Sequence, residues 1–193
     1  DRSPSRGLGD VYKRQALEGM QDSMKNLATS IPTDFQTAGA AIGEVNTRFG
    51  LTGKSLEDLS GRFIKFAQIN NMDVSTAVDN TQKVVAAFGL KAQDAGALLD
   101  TMNAVGQRTG VSMDTLAKTM VTNSASLQQL GFSASDAANF LGNVEMSGAD
   151  TSQVMTALTK ALAAATAKGT PMKQALEDIQ NSMAVSYTHL RAH

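Results

Sequence analysis

The chain has 193 residues and carries 17 Lys and Arg against 18 Asp and Glu, for a formal net charge of −1. That balance leaves no clustered basic field of the kind that phosphate neutralisation needs, so nucleic acid is not expected as a partner. The absence of cysteine excludes disulfides and thiolate metal sites, a hydrophobic content of 42% excludes wholesale disorder, and no apolar run approaches the roughly 18 residues of a membrane span.

Taken in chain order, the N-terminal end stands apart. Asp10-Val11-Tyr12-Lys13-Arg14-Gln15 back-translates to GAT GTG TAT AAG AGA CAG. The reverse complement, read from its third base, encodes Val-Ser-Tyr-Thr-His and a codon beginning with C. The other end of the chain reads Val185-Ser186-Tyr187-Thr188-His189-Leu190. One DNA segment and its complement thus account for both ends, and that segment resembles the transposon end of sequencing-library adapters. Residues 1–15 and 185–193 are expected to be non-native, adapter-derived ends and are excluded from the fold reading. Both histidines (His189, His193) and both tyrosines (Tyr12, Tyr187) lie there, so 16–184 has no His, Cys, Tyr or Trp. Without Arg2, Arg6, Lys13, Arg14 and Arg191 the segment keeps 12 basic residues; without Asp1 and Asp10 it keeps 16 acidic ones, for a net charge of −4.

Helical periodicity governs the rest. Helices are expected near 17–30 and 33–48, then near 55–69 with the seam Leu56, Leu59, Phe63, Phe66. The next, 74–88, places Val74, Ala77, Val78, Thr81, Val84, Val85 and Phe88 at the three-four spacing of one helix face. Residues 92–107 repeat it with Ala95, Leu98, Leu99, Met102 and Val105, and 113–129 with Met113, Leu116, Ala117, Met120 and Val121. Further helices are expected at 134–146, 151–167 and 171–183, nine in all. No stretch alternates like a strand.

Punctuation agrees with the periodicity. Asp73, Ser112, Ser133 and Asp150 stand where a short oxygen-bearing side chain can accept from the first free helical N–H groups. Thr170-Pro171 joins a capping residue to a proline at the first helical position. Gly50, Gly89, Gly110, Gly131, Gly148 and Gly169 fall at helix ends, where a left-handed residue is often needed. Phe49-Gly50-Leu51 recurs as Phe88-Gly89-Leu90 and as Leu130-Gly131-Phe132. Between these lie second turns at Asn71-Met72-Asp73-Val74, Thr109-Gly110-Val111-Ser112 and Ser147-Gly148-Ala149-Asp150. The unit is helix, tight turn, helix, Gly-apolar turn, with a period of about 40 residues, as in two-helix repeats. The fold expected is all-α: a helical-hairpin repeat array of about nine short amphipathic helices with no sheet.

Three motifs invite chemistry and fail on context. Gly50-Leu51-Thr52-Gly53-Lys54-Ser55 resembles a phosphate-binding loop, yet Arg48 replaces the required first glycine and a helix, not a strand, precedes it. Thr109 to Leu116 resembles the turn and recognition helix of a DNA binder, but Arg108, Lys118 and Asn123 are a thin supply of base- and phosphate-reading groups. Glu57-Asp58 and Glu177-Asp178 are neighbours on helices and point about 100° apart, so neither is a facing acid–base pair. No catalytic, cofactor-binding or metal-ligating residue is nominated, no cofactor is expected, and an enzyme is disfavoured. The Ala157, Ala161, Ala164, Ala165 face is the best candidate for an exposed stripe that meets another copy or a partner wall.

The ordered succession of turns resembles the core region of phage tail tape measure proteins over roughly 33–180. Phe88-Gly89-Leu90, Arg108-Thr109-Gly110-Val111-Ser112, Leu130-Gly131-Phe132 and Met146-Ser147-Gly148-Ala149-Asp150 leading into Val154 to Leu162 carry it. Residues 16–184 are then a tape-measure-like helical repeat segment. The resemblance implies a structural virion component that occupies the tail tube lumen and sets tail length during assembly. It implies the tail tube protein, tail tip proteins and tail assembly chaperones as partners. The implied locations are the virion tail and, during assembly, the host cytoplasm. The alternative is a cellular helical-repeat adaptor with a concave face for a protein partner.

Overall fold

Apolar residues three and four apart need a partner surface, and here helices supply it to one another. The computed structural model describes residues 4–171 together with Gln174, Ala175, Glu177 and Asp178, with side chains from Val11 onward except Tyr12. Among the described residues there are eight α-helices and no strand. They are α1 (Pro4–Ser30), α2 (Phe35–Phe49), α3 (Gly53–Ile69), α4 (Val74–Ala87), α5 (Ala95–Thr109), α6 (Met113–Gln129), α7 (Ala134–Ser147) and α8 (Thr151–Ala167). A 3₁₀ turn, Ala92–Asp94, leads into α5.

The expected helices fall within two or three residues of these bounds, with one exception. The first helix, expected from about 17, begins at Pro4. Val11 and Lys13 to Gly19 are solvent-exposed, and packing starts only at Met20 and Ser23. That half of α1 shows no amphipathic stripe to announce it. Of the ninth expected helix, 171–183, the described residues Gln174, Ala175, Glu177 and Asp178 are helical and Ala175 is buried; the remainder lies outside the described residues.

Four of the five nominated caps close; the turn that Thr170 would cap lies partly outside the described residues. Asp73, Ser112, Ser133 and Asp150 accept from the backbone N–H groups of Thr76, Thr115, Asp136 and Gln153 at 3.0, 3.1, 3.2 and 2.8 Å. The Ser133 N–H donates back to the Asp136 carboxylate at 3.2 Å, a reciprocal box that satisfies two orphan donors. A further cap is Asp34, which accepts from the Thr37 N–H at 2.7 Å and starts α2. At the other ends, α2 to α8 each run into a residue with positive φ, six glycines and Asn71.

The chain forms two compact units, Asp1–Ala104 and Val105–His193. In the first, α2 packs on α1, α3 and α4, and α3 also meets α1 and α4. Its core holds Val45, Leu56, Phe63, Ile64, Val78, Val84 and Leu99, with Phe49 and Phe63 stacked at 6.0 Å. Three polar side chains are buried in this unit, Ser23, Ser60 and Thr81. The Thr81 hydroxyl donates to the Ala77 carbonyl at 2.9 Å, and Ser60 of α3 reaches the Ala41 carbonyl of α2 at 3.5 Å. In the second unit α7 packs on α6 and α8 around Leu116, Met120, Leu127, Leu141 and Val144.

Every nominated seam residue is buried except Val121, which is half-buried. Polar links also recur between four pairs of helices that are next but one in the chain. Asn26 of α1 donates to Glu57 of α3 (3.3 Å), Arg48 of α2 to Asp79 of α4 (2.8 Å), Arg62 of α3 to Asp100 of α5 (2.8 Å), and Arg108 of α5 to Asn139 of α7 (3.0 Å). Within the first unit the links accompany packing of α1 on α3 and of α2 on α4.

Candidate interaction surface

The turns that place caps also shape the surface. At one edge of the first unit, the α1–α2 turn and the α3–α4 turn lie either side of the C-terminal half of α3. Gln68 ties them, donating from Nε2 to the Pro32 carbonyl at 2.7 Å. Between them is an open cleft of about 440 Å³ lined by Pro32, Thr33, Asp34 and Thr37, by Ile64, Ala67 and Gln68, and by Asn71 to Val74. The lining carries two carboxylates, Asp34 and Asp73, and no basic side chain. The Thr37 backbone N–H and hydroxyl, at 2.7 and 2.9 Å, hold the Asp34 carboxyl below its usual value.

A second polar feature runs along α2 and α4. Glu44, Arg48, Asp79 and Lys83 alternate in sign, with Arg48 2.6 Å from Glu44 and 2.8 Å from Asp79, and Lys83 2.5 Å from Asp79. The hydrogen bond from Lys83 pulls the Asp79 carboxyl down, and that to Glu44 pushes the Arg48 guanidinium up. All four are partly solvated, and such pairs are worth about 0–1 kcal/mol each. They fix helix register rather than supply a reactive group.

The motifs that resembled chemical sites have other occupations. Gly50 is the left-handed end of α2, Gly53 opens α3, and the Lys54 ammonium is 2.6 Å from Asp58 and 3.7 Å from Glu57. Glu57 and Asp58 therefore share one lysine instead of facing each other. Arg108 is spent on Asn139, and Asn123 donates to the Thr119 carbonyl at 2.8 Å, which leaves Lys118 exposed on α6. Asp178 accepts from Gln174 at 3.1 Å. On α8, Ala157, Ala161 and Ala164 are exposed and Ala165 half-buried, while Met155, Leu158 and Leu162 face the core.

Sequence reasoning passed over the cleft and two side chains beside it. Phe35, next to Asp34, is 60% exposed, and Ile69, next to Gln68, is 62% exposed. Ile69 is off the buried face of α3, whose seam runs Leu56, Leu59, Phe63, Phe66, whereas Phe35 keeps the spacing to Ala38 and Ile42 but stands at the first position of α2. An apolar residue displaced from its helix's buried face is the signal that could have found Ile69; Phe35 has no such signal, because its spacing is that of a buried residue.

Among the described residues no group of His, Cys, Asp and Glu could hold a metal ion, and no helix is long and apolar enough to cross a membrane. The geometry defines a helical-hairpin repeat protein whose distinctive features are surfaces. Its family is narrower. Residues 12–191 match the family model described as phage-related minor tail protein, and the chain belongs to that family. It is a protein of the phage tail, and other tail components are its partners. No curated protein and no solved structure matches it.

Proposed function

We propose that this chain is a segment of a tail tape measure protein, occupying the lumen of the tail tube and setting tail length during assembly. The observation that carries the proposal is the tandem repeat. A ruler needs a structure that grows by equal increments, and this chain adds one helical hairpin about every 40 residues. Family membership restricts the setting to the tail. The tail tube, tail tip and assembly chaperones are the proposed partners, and the segment itself carries out no catalysis. Residues 1–15 and 185–193 are proposed to be adapter-derived, on the shared coding of the two ends; sequencing the source gene tests this directly.

Tail length provides the functional test. Removing one repeat, residues 74–112, from the gene in its phage should shorten the tails seen by electron microscopy. The size of the change discriminates two states of the segment. Roughly 39 residues running as a continuous helix at 1.5 Å per residue would remove about 60 Å. Hairpins that stay stacked at helix-packing distance would remove only about 10 Å. Tails of unaltered length would sink the ruler role.

A further inference from the structure

Helix lengths along the chain do not alternate, as a strict two-helix repeat would require; they recur in threes. The helices α2, α3 and α4 have 15, 17 and 14 residues, and so do α5, α6 and α7. Each helix of the second set starts and ends 60 residues after its counterpart in the first. Helix ends are uncertain by a residue or two, so the weight falls on features of other kinds that keep the same register. The left-handed residues Gly50 and Asn71 match Gly110 and Gly131, and the capping residue Asp73 matches Ser133. The bond from Arg48 of α2 to Asp79 of α4 matches that from Arg108 of α5 to Asn139 of α7, donor and acceptor displaced alike. In the core, Leu56 and Val84 are buried, and so are Leu116 and Val144. The register continues into α8, where Leu158 and Leu162 are buried as Leu98 and Met102 are on α5 and Ala38 and Ile42 on α2. We propose that the array is built from a three-helix module of 60 residues, present as 35–94 and 95–154 and begun again in α8. Hairpins still recur about every 40 residues, but length, cap, left-handed turn and polar clasp return together only at every third helix. The inference concerns how the array is built and holds whether or not the array sets tail length.

Two deletions in the full chain distinguish the module from the hairpin. Removing 74–133 joins Asp73 to Ala134 and puts α7 where α4 stood. Val144 then takes the place of Val84, and Asn139 replaces Asp79 as the acceptor for Arg48. Removing 74–112, one hairpin, puts α6 there instead. Asn123 then enters the fully buried position of Val84, and Lys118 faces Arg48. A buried amide without a partner and two like charges in contact are both unfavourable. The longer deletion should therefore unfold, by circular dichroism, at a urea midpoint about 1 M above that of the shorter one. Within it, Arg48→Ala and Asn139→Ala should be non-additive, the coupling that Arg48 has with Asp79 in the parent chain. A midpoint equal to or below that of the hairpin deletion, or additive effects, would overturn the proposal. If neither shortened chain folds, point variants of the parent chain decide. Asn139→Asp with Asn143→Lys copies the positions of Asp79 and Lys83 into the second module, beside Arg108. The carboxyl so introduced should titrate below the ordinary carboxylate range, as Asp79 does under the Lys83 hydrogen bond, and Arg108→Ala should raise it. A carboxyl that titrates at its ordinary value, or is indifferent to Arg108→Ala, would overturn the equivalence.

Discussion

Three glycines separate three physical costs at single positions. Gly43 is exposed in the middle of α2, and a Cβ there would meet nothing within 4 Å. Gly43→Ala should therefore stabilise by about 0.5–1 kcal/mol through backbone entropy alone. Gly131 also has open space, but its φ is +84° at the end of α6. Gly131→Ala should cost about 1–2 kcal/mol from left-handed strain without any clash. Gly142 has ordinary helical geometry, yet a Cβ there would run into the Val105 side chain. Gly142→Ala should cost about 1–3 kcal/mol through overpacking, and Val105→Ala in the same chain should return part of that. Urea midpoints of the three variants check the order. The signs follow from backbone angle and neighbours, so a common effect for all three would contradict the structure. Sequence alone identified Gly131 as a helix end because it stands between Leu130 and Phe132 after an apolar-periodic run. It gave no hint that Gly142 is a packing glycine, because the partner, Val105, is on another helix and distance in the fold is not written locally.

At the scale of the element, the helices were legible where local chemistry decides them. Asp73, Ser112, Ser133 and Asp150 each announce a helix start because a short acceptor there satisfies an N–H that has no other partner. Ser133→Ala should cost about 1 kcal/mol, measured by thermal melting, and the loss should be partly shared with Asp136→Ala because the two form one reciprocal box. Acid titration tests a cap of a different kind. The Asp34 carboxyl lies below its ordinary value because the Thr37 N–H and hydroxyl bond its charged form. A depressed folded value means that the stabilisation is complete above the unfolded carboxylate range, near about 4, and is lost as pH falls through the folded value. Asp34→Asn keeps the cap and removes the titration, so the fall in urea midpoint between neutral and strongly acidic pH should be shallower in that variant. An unchanged slope would show that Asp34 makes no contribution to the pH dependence. The less legible elements lack such chemistry. Residues 4–16 carry no cap and no apolar stripe, and their helix is a continuation of the packed turns that follow. The start of α3 was read two residues late because Thr52 makes no side-chain cap bond and Gly53 enters with positive φ.

At the scale of the whole chain, the period of about 40 residues made the architecture readable, whereas the cleft arose from two turns far apart in sequence and was not readable. A repeat architecture also has a consequence for cooperativity. Each helix here packs on near neighbours in the chain, so stability is close to a sum of local terms and a defect need not propagate. The two units, Asp1–Ala104 and Val105–His193, hold separate cores around Phe63 and around Leu141. Truncating either residue to alanine removes most of a fully buried side chain and should cost about 2–5 kcal/mol. Phe63→Ala should then speed amide hydrogen exchange across α2, α3 and α4 and leave α6 and α7 as protected as in the parent chain. Leu141→Ala should do the reverse. Exchange that rises by the same factor throughout the chain after either substitution would mean a single cooperative unit, and the additive description of the array would fail. Local response is also what a structure that lengthens by repeats requires, since a fold whose stability depended on every hairpin at once could not gain or lose one without collapse.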